Sequence, residues 1–289
     1  REAKVTSIAV CYLHAYKDAK HERETRSRIE SKLPGVSVSL SSEVFPEIKE
    51  YERVSTTVVN AYVRPVVEKY LRKLGDRLSD TGYIGPVLII LSHGGVAPID
   101  EAVRLAAGTV LSGPAGGVAG SRYGSSLIGA ENLVPFDMGG TSTDISMIVN
   151  GEPALSSTRG IAGQRVALQS LDIVSIASGG GSIARVDNGG ILRVGPESAG
   201  AVPGPACYGK GGKEVAVTDA SVVLGFLDPN NFLGGRESLD KEAAEAAVDK
   251  LAAKLSVSTA EAAEGVHRVI NTQMAEGIRL VSVRRGVDP

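Results

Sequence analysis

The chain has 289 residues, 43% of them apolar, with no long uncharged apolar run, so it can bury one large core or two modest ones and offers no membrane span. Its 31 basic and 33 acidic residues nearly cancel to −2, which argues against nucleic-acid or anionic-membrane partners and leaves small-molecule chemistry as the default. Cys11 and Cys207 stand far apart, which excludes a disulfide framework and a cysteine-rich zinc site; with no secretory leader in view, the expected compartment is the cytoplasm.

In chain order, residues 5–13 read as a buried strand, 18–33 as a charged solvent-facing helix closed by Pro34-Gly35, and 36–40 as a short strand. Val58, Val59, Tyr62, Val66, Tyr70, Leu71, Leu74 and Leu78 recur at helical spacing through 55–78, and Pro65 should kink that helix or start a new one. Residues 87–91 form an apolar strand ending in Ser92-His93-Gly94-Gly95, a polar turn at a position where α/β sheets place ligands. His93 suits polarising a carbonyl or contacting phosphate; its other reading is a hydrogen-bonded turn residue. Thr109-Val110-Leu111 reads as a strand end that enters a small-residue helix through Ser112-Gly113-Pro114, where a proline loses only an N–H that would be unpaired anyway. Free N–H groups at that helix start can point at an anion.

The octapeptide Asp137-Met138-Gly139-Gly140-Thr141-Ser142-Thr143-Asp144 joins two apolar runs, Leu133-Val134-Pro135-Phe136 and Ile145-Ser146-Met147-Ile148-Val149, both of which read as strands. Gly139 and Gly140 let backbone N–H groups approach phosphate oxygens, Thr141, Ser142 and Thr143 add hydroxyl donors, and Asp137 or Asp144 can hold hydrated magnesium. That chemistry suits phosphoryl transfer or nucleotide hydrolysis. The plainer reading is an ordinary Gly-Gly hairpin. No GK[ST] follows the glycines, so this is not a Walker loop, and a strand rather than a helix comes next, so it is not a dinucleotide fingerprint.

A further strand, Leu171-Asp172-Ile173-Val174-Ser175-Ile176, runs into Ala177-Ser178-Gly179-Gly180-Gly181-Ser182. These glycines either form a second anion nest or allow close packing of neighbouring backbones. Residues 183–194 read as a hairpin turned at Asp187-Asn188-Gly189-Gly190, and 195–212, rich in glycine and proline, as a functional loop or lid. The last quarter is helical: Leu239, Ala243, Ala247, Val248, Leu251 and Leu255 form one stripe, and Ser258-Thr259-Ala260-Glu261 is a capping box for the next helix, which ends near Arg284-Arg285. Both arginines suit the carboxyl end of that helix. Asp172 reads as a ligand or a cap, Asp219 equally as a helix cap or a site residue, Arg185 and Glu197 as a surface pair, and Cys207 as packing rather than nucleophile.

Together with these readings, several strings resemble one family. They are Val134-Pro135-Phe136-Asp137-Met138-Gly139-Gly140-Thr141-Ser142-Thr143-Asp144, Leu111-Ser112-Gly113-Pro114-Ala115-Gly116-Gly117, Ser178-Gly179-Gly180-Gly181-Ser182-Ile183-Ala184, and Arg193-Val194-Gly195-Pro196-Glu197-Ser198-Ala199-Gly200 continuing through Pro203-Gly204-Pro205-Ala206-Cys207-Tyr208-Gly209. With Thr218-Asp219-Ala220 and Leu224-Gly225, they are similar to the hydantoinase/oxoprolinase family over most of the chain. The resemblance implies an α/β, actin-like ATPase fold, with ribonuclease H-like lobes, mixed sheets and flanking helices, that binds ATP and Mg2+ in the cleft between the lobes. It makes the Asp137 hairpin the second phosphate loop, with Asp137 near the metal or the attacking water. The implied activity couples ATP hydrolysis to opening of cyclic amides such as hydantoins and oxoproline, by phosphorylating the carbonyl oxygen; related subunits activate ketones for carboxylation instead. A second catalytic subunit or domain is the implied partner, and homo-oligomerisation stays open.

The chain departs from the family in lacking the first Asp-x-Gly-Gly-Thr loop before Val5, and the adenosine-contacting loop expected beyond Pro289. The expected organisation is therefore an end of the amino-terminal portion over 1–80 and a hydantoinase A-like ATPase domain over 81–289, incomplete at both ends. Such a chain by itself should bind ATP weakly or not at all. Val174 stands where some members carry histidine, which leaves amide against ketone open. A third reading, of another class, is a non-catalytic actin-like nucleotide-binding module.

Overall fold

A strand at Ser7–Val10 (β1) pairs in parallel with Ser37–Leu40 (β2), Ser7 against Ser37 through Val10 against Leu40, and the helix Lys20–Lys32 (α1) is the crossover a parallel pair requires. The computed structural model describes residues 4–161, 163–283 and 285–288. The chain divides into two units: residues 1–131 with 149–172, and residues 132–148 with 173–289.

The first unit contains polar cross-links invisible in the apolar pattern. Glu22, on the charged face of α1, is fully buried, and its carboxylate accepts from the Tyr12 N–H at 3.0 Å, the Ser41 hydroxyl at 2.6 Å and the Ser42 N–H at 2.9 Å. Buried carboxylates persist only when paired in this way. The short helix Ser41–Val44 (α2) leads to Glu50–Asp80 (α3), which runs without interruption through Pro65 rather than restarting there. The apolar spacing marks this helix but not its inner face. Tyr62, Val66 and Tyr70 are 83%, 73% and 65% exposed, whereas Arg53, Thr56, Thr57 and Asn60 are buried. Asn60 donates to Ser39 Oγ and the Arg104 carbonyl, both at 3.1 Å, and accepts from the Ala107 N–H at 2.9 Å; the Arg53 guanidinium donates to the carbonyls of Glu47 at 2.7 Å and Tyr12 at 3.0 Å.

Leu88–Ile90 (β3) and Val96–Pro98 (β4) form an antiparallel hairpin before helix Ile99–Arg104 (α4). Leu88 and Ile90 are 53% and 37% exposed, so β3 is not the buried sheet strand its composition suggests. Residues 109–111 do not form a strand end either. A 3-10 turn at Ala106–Thr109 precedes helix Ser112–Ile128 (α5), and Leu111 turns the chain with φ of 65°. Short antiparallel pairs, Arg159–Ile161 with Gln164–Val166 and Leu155–Ser156 with Ser170–Leu171, complete this unit.

In the second unit, Phe136–Met138 (β5), Thr143–Ile145 (β6) and Val174–Ile176 (β7) form an antiparallel sheet with β6 central. The single strand expected over 171–176 is thus two, Ser170–Leu171 lying in the first unit. Ser182–Val186 (β8) and Leu192–Ser198 (β9) form the anticipated hairpin, and Asp187 Oδ1 closes its turn by accepting the Gly189 and Ile191 N–H groups at 3.0 Å. Helices Val217–Val223 (α6), Lys241–Leu255 (α7) and Thr259–Val283 (α8) supply most of the core, with Val217, Ala220, Val248, Leu251, Ala263, Val266 and Ile270 packed together. The capping box forms as read: the Ser258 N–H donates to Glu261 Oε2 at 2.8 Å and the Glu261 N–H donates back to Ser258 Oγ at 3.3 Å. Gly277 brings α8 down onto the sheet, where a Cβ would lie 2.7 Å from Ile145 Cδ1. The role expected of Arg284 lies outside the described residues. Among the described residues no helix is long and apolar enough to cross a membrane.

Candidate active site

The sheet β5–β6–β7 places its polar side chains in a row. Asp137 lies opposite Asp144 across β5 and β6, and Ser175 lies opposite Asp144 across β6 and β7. Directly opposed residues share a face of the pleat, so these three side chains are lateral neighbours. The Ser175 hydroxyl donates to Asp144 Oδ1. Among the described residues, the Asp137 carboxylate has no hydrogen-bond or ionic partner, and Asp137 is exposed. The opposite face carries Thr143 and Ile145, both fully buried.

At the tip, the Gly139 N–H donates to the Ser142 carbonyl at 2.9 Å and closes the turn. The N–H groups of Gly140, Thr141 and Ser142 have no acceptor among the described residues, and Gly139, Gly140 and Thr141 are exposed. The bend therefore presents unpaired main-chain donors beside a free carboxylate, the arrangement that suits phosphate oxygens and a hydrated cation. Thr143 differs from its expected part. Its side chain is buried, and its hydroxyl donates to the Ser178 carbonyl, so it fastens the sheet rather than reaching into solvent.

The Gly179–Ser182 turn packs directly against this hairpin, and its amides are all engaged. Gly179 N–H donates to Ser182 Oγ at 2.9 Å, Gly180 N–H to the Gly139 carbonyl at 3.0 Å, Gly181 N–H to the Gly140 carbonyl at 2.6 Å, and Ser182 N–H to the Gly179 carbonyl at 3.0 Å. None is left for an anion in this conformation, so close backbone packing, not a second nest, describes these glycines. Ser178 in turn donates from its hydroxyl to Gln273 Oε1 at 3.0 Å, and Gln273 donates to the Val194 carbonyl at 3.1 Å, which ties α8 to both β9 and the glycine turn. Neither Ser175 nor Gln273 stands out in the sequence, because each acts through cross-strand register or helix docking rather than through a motif.

The remaining candidates have identifiable partners. His93 belongs to the first unit, where it is exposed and its Nδ1 accepts the Gly95 N–H at 3.1 Å, the geometry of a turn residue. Asp219 is fully buried and accepts three backbone N–H groups: Ala206 at 3.2 Å, Cys207 at 2.8 Å and Ala216 at 2.8 Å. It caps α6 while fastening residues 206–207, which accounts for it structurally. Burial first, and then the nearby Asp219 charge, push the Cys207 thiol up, so it is a packed side chain and not a nucleophile. Arg185 and Glu197 pair on the surface, as read.

This constellation lies within a sequence segment, residues 53–289, that matches the family described as hydantoinase/oxoprolinase. The chain belongs to the hydantoinase/oxoprolinase family. It is 39% identical over 290 residues to the caprolactamase subunit alpha of Pseudomonas jessenii, covering 100% of this chain and 42% of that protein. It is 37% identical to the acetophenone carboxylase gamma subunit of Aromatoleum aromaticum, covering 98% of this chain and 40% of that one. A nucleotide-free structure of acetone carboxylase, from work on ATP-dependent acetone carboxylation, superposes with a TM-score of 0.83 at 30% identity over 100% of this chain and 41% of its own. Both curated relatives are named as subunits, and the chain spans about two fifths of their length. The hydantoinase/oxoprolinase chain is thus a mixed α/β protein that shares its fold with an ATP-dependent carboxylase.

Proposed function

We propose that this chain carries the phosphate-binding part of an ATP-dependent enzyme that activates a cyclic amide by phosphorylating its carbonyl oxygen, after which water opens the ring. The observation that carries this reading is the Asp137 hairpin, with its unpaired Gly140, Thr141 and Ser142 amides beside the Asp137 carboxylate. A lactam carbonyl is a poor electrophile, and phosphorylation converts it into an activated imidate. Amides held in place before the reaction can stabilise charge on the transferring group without reorganising. In an actin-like ATPase frame this hairpin is the second phosphate loop, and Asp137 orients water or metal while Asp144, held by Ser175, shares the negative field. Asp137 with Asp144 beside it fits hydrated Mg2+, which binds through one or two carboxylates and supplies charge neutralisation at the phosphates. The reading places the enzyme in the cytoplasm, working with a second subunit as its relatives' names imply for theirs.

A second reading has its own support: the acetone carboxylase structure and the acetophenone carboxylase subunit make ketone activation, through an enol phosphate and then carboxylation, the alternative use of the same site. Incubating the full-length protein and its companion subunit with MgATP separates the two. A lactam or hydantoin should yield the ring-opened acid together with ADP and phosphate, whereas ADP and a carboxylated product only from a ketone with bicarbonate would replace the first reading with the second. Turnover of ATP that ignores both substrate classes would favour a nucleotide-binding module without this chemistry.

A further inference from the structure

Resting on the phosphate-hairpin reading, we infer that the Gly179-Gly180-Gly181 turn is a positioning element that aims the hairpin's main-chain donors at the phosphate. The geometry follows from peptide planarity. The carbonyl of Gly139 and the N–H of Gly140 belong to one peptide unit, and the carbonyl of Gly140 and the N–H of Thr141 to the next. Both units are trans, so in each the carbonyl and the N–H point in opposite directions. Gly180 N–H holds the first carbonyl at 3.0 Å and Gly181 N–H the second at 2.6 Å. Two inward-held carbonyls leave the Gly140 and Thr141 amides facing outward, where neither has an acceptor among the described residues.

The glycine turn is itself anchored from behind. The Gly180 carbonyl accepts from both the N–H and the hydroxyl of Thr218 on α6 at 2.8 Å, and the Gly181 carbonyl accepts the Ala199 N–H at 2.8 Å. Side chains are excluded by contact. A Cβ on Gly179 would lie 2.7 Å from the Gly139 oxygen and 2.8 Å from the carbonyl carbons of Gly140 and Thr141, and a Cβ on Gly181 would lie 2.8 Å from the Gly140 oxygen. All the atoms met by the Gly179 Cβ are backbone atoms of the hairpin, whereas the Gly181 Cβ meets the Ser198 hydroxyl at 2.8 Å as well as the hairpin carbonyl, so a side chain at either position presses on the peptide units whose N–H groups face the ligand. These glycines touch no phosphate; they act through the hairpin.

The test compares the full-length protein with its Gly179→Ala and Gly181→Ala variants, reading MgATP affinity by calorimetry and hydrogen–deuterium exchange in the 137–144 peptide. Gly265→Ala, on α8, crowds only Leu192 Cδ2, at 3.1 Å, and serves as a packing control. Ser182→Ala removes the acceptor of the Gly179 N–H without adding bulk and stands in if the alanine variants do not fold. The expected result is ATP-dependent protection of the 137–144 peptide in the wild type, and an affinity loss of about tenfold or more, the scale of one charge-assisted hydrogen bond, with that protection lost in the variants but not in the control. Wild-type affinity and protection in every folded variant would overturn the positioning role while leaving the phosphate hairpin intact. ATP binding by the wild type that leaves the 137–144 peptide unprotected, or no binding, would overturn both.

Discussion

Asp137 and Asp144 stand directly opposite each other across β5 and β6, two carboxylates on one face of a short sheet, and among the described residues only Asp144 of the two has a hydroxyl partner. Opposed like charges cost about 0.2–1 kcal/mol in a sheet, so a cation or a neutral substitution at either position relieves a standing repulsion.

Asp137→Asn should therefore leave stability unchanged or raise the melting midpoint by up to about 3 °C, while lowering ATP turnover by about 10²-fold or more. Thermal melts with and without Mg2+, set beside turnover, check both halves: the wild type should gain from Mg2+ and the variant should not. Near-normal turnover would remove Asp137 from the mechanism.

Gly140→Val tests the outer surface of the same bend. A Cβ at Gly140 meets no atom within 4 Å, so the fold has room for it, but the branched side chain occupies the approach to the neighbouring amides. The expected outcome is an unchanged melting midpoint and no measurable ATP binding. Retained affinity would exclude phosphate from this bend.

Asp219→Ala should destabilise the second unit by about 3 kcal/mol or more, because three buried N–H groups lose a charged acceptor together. Denaturant titration measures this. The Cys207 thiol, raised by burial and by that carboxylate, should resist alkylation at pH 8 in the native protein and react only on unfolding, after the partly exposed Cys11. Labelling of both thiols at one rate in the native state would contradict the packing described.

His267 supplies a pH dependence. Burial holds its imidazole below the ordinary value of 6.5, with Ser221 Oγ 3.0 Å from Nε2 and the Phe226 ring edge-on at 5.1 Å. The unfolded chain thus takes up a proton at a higher pH than the folded one. Its contribution is fully present above about pH 6.5 and is lost as pH falls from there toward the folded-state value. His267→Gln should flatten the stability profile in that acid window and leave the profile near pH 8 unchanged in shape; an unaltered acid limb would assign the dependence to other groups.

Local signals were legible where a motif carries its own geometry. The Asp187–Gly190 turn, the Ser258–Glu261 capping box and the surface pair Arg185–Glu197 need only neighbouring residues or simple charge, and each forms as read; the Asp137 hairpin also forms, but its strands are Phe136–Met138 and Thr143–Ile145, which puts both aspartates in the strands and not in the bend. Spacing misled where a side chain's surroundings come from distant segments. The apolar positions of α3 define a helix, yet Tyr62, Val66 and Tyr70 are exposed while Arg53 and Asn60 are buried, where backbone groups of other segments hydrogen-bond both terminal nitrogens of Arg53 and the Asn60 amide. Residues 87–91 look like a core strand, but among the described residues β3 pairs with β4 alone, and Leu88 and Ile90 are exposed.

By itself the sequence determined that this chain is a mixed α/β protein of one family, with a glycine- and hydroxyl-rich bend between two carboxylates, because those features rest on composition, motif order and local turn chemistry. Only the tertiary structure decided what each polar group has left to offer. It directs Thr143 inward to the Ser178 carbonyl, uses Asp219 to cap α6, and engages every amide of the glycine turn on internal acceptors, while leaving the amides of Gly140, Thr141 and Ser142 without an acceptor among the described residues. The physical reason is that hydrogen-bonding capacity is settled by whichever partners packing brings within about 3 Å, and those partners lie far away along the chain.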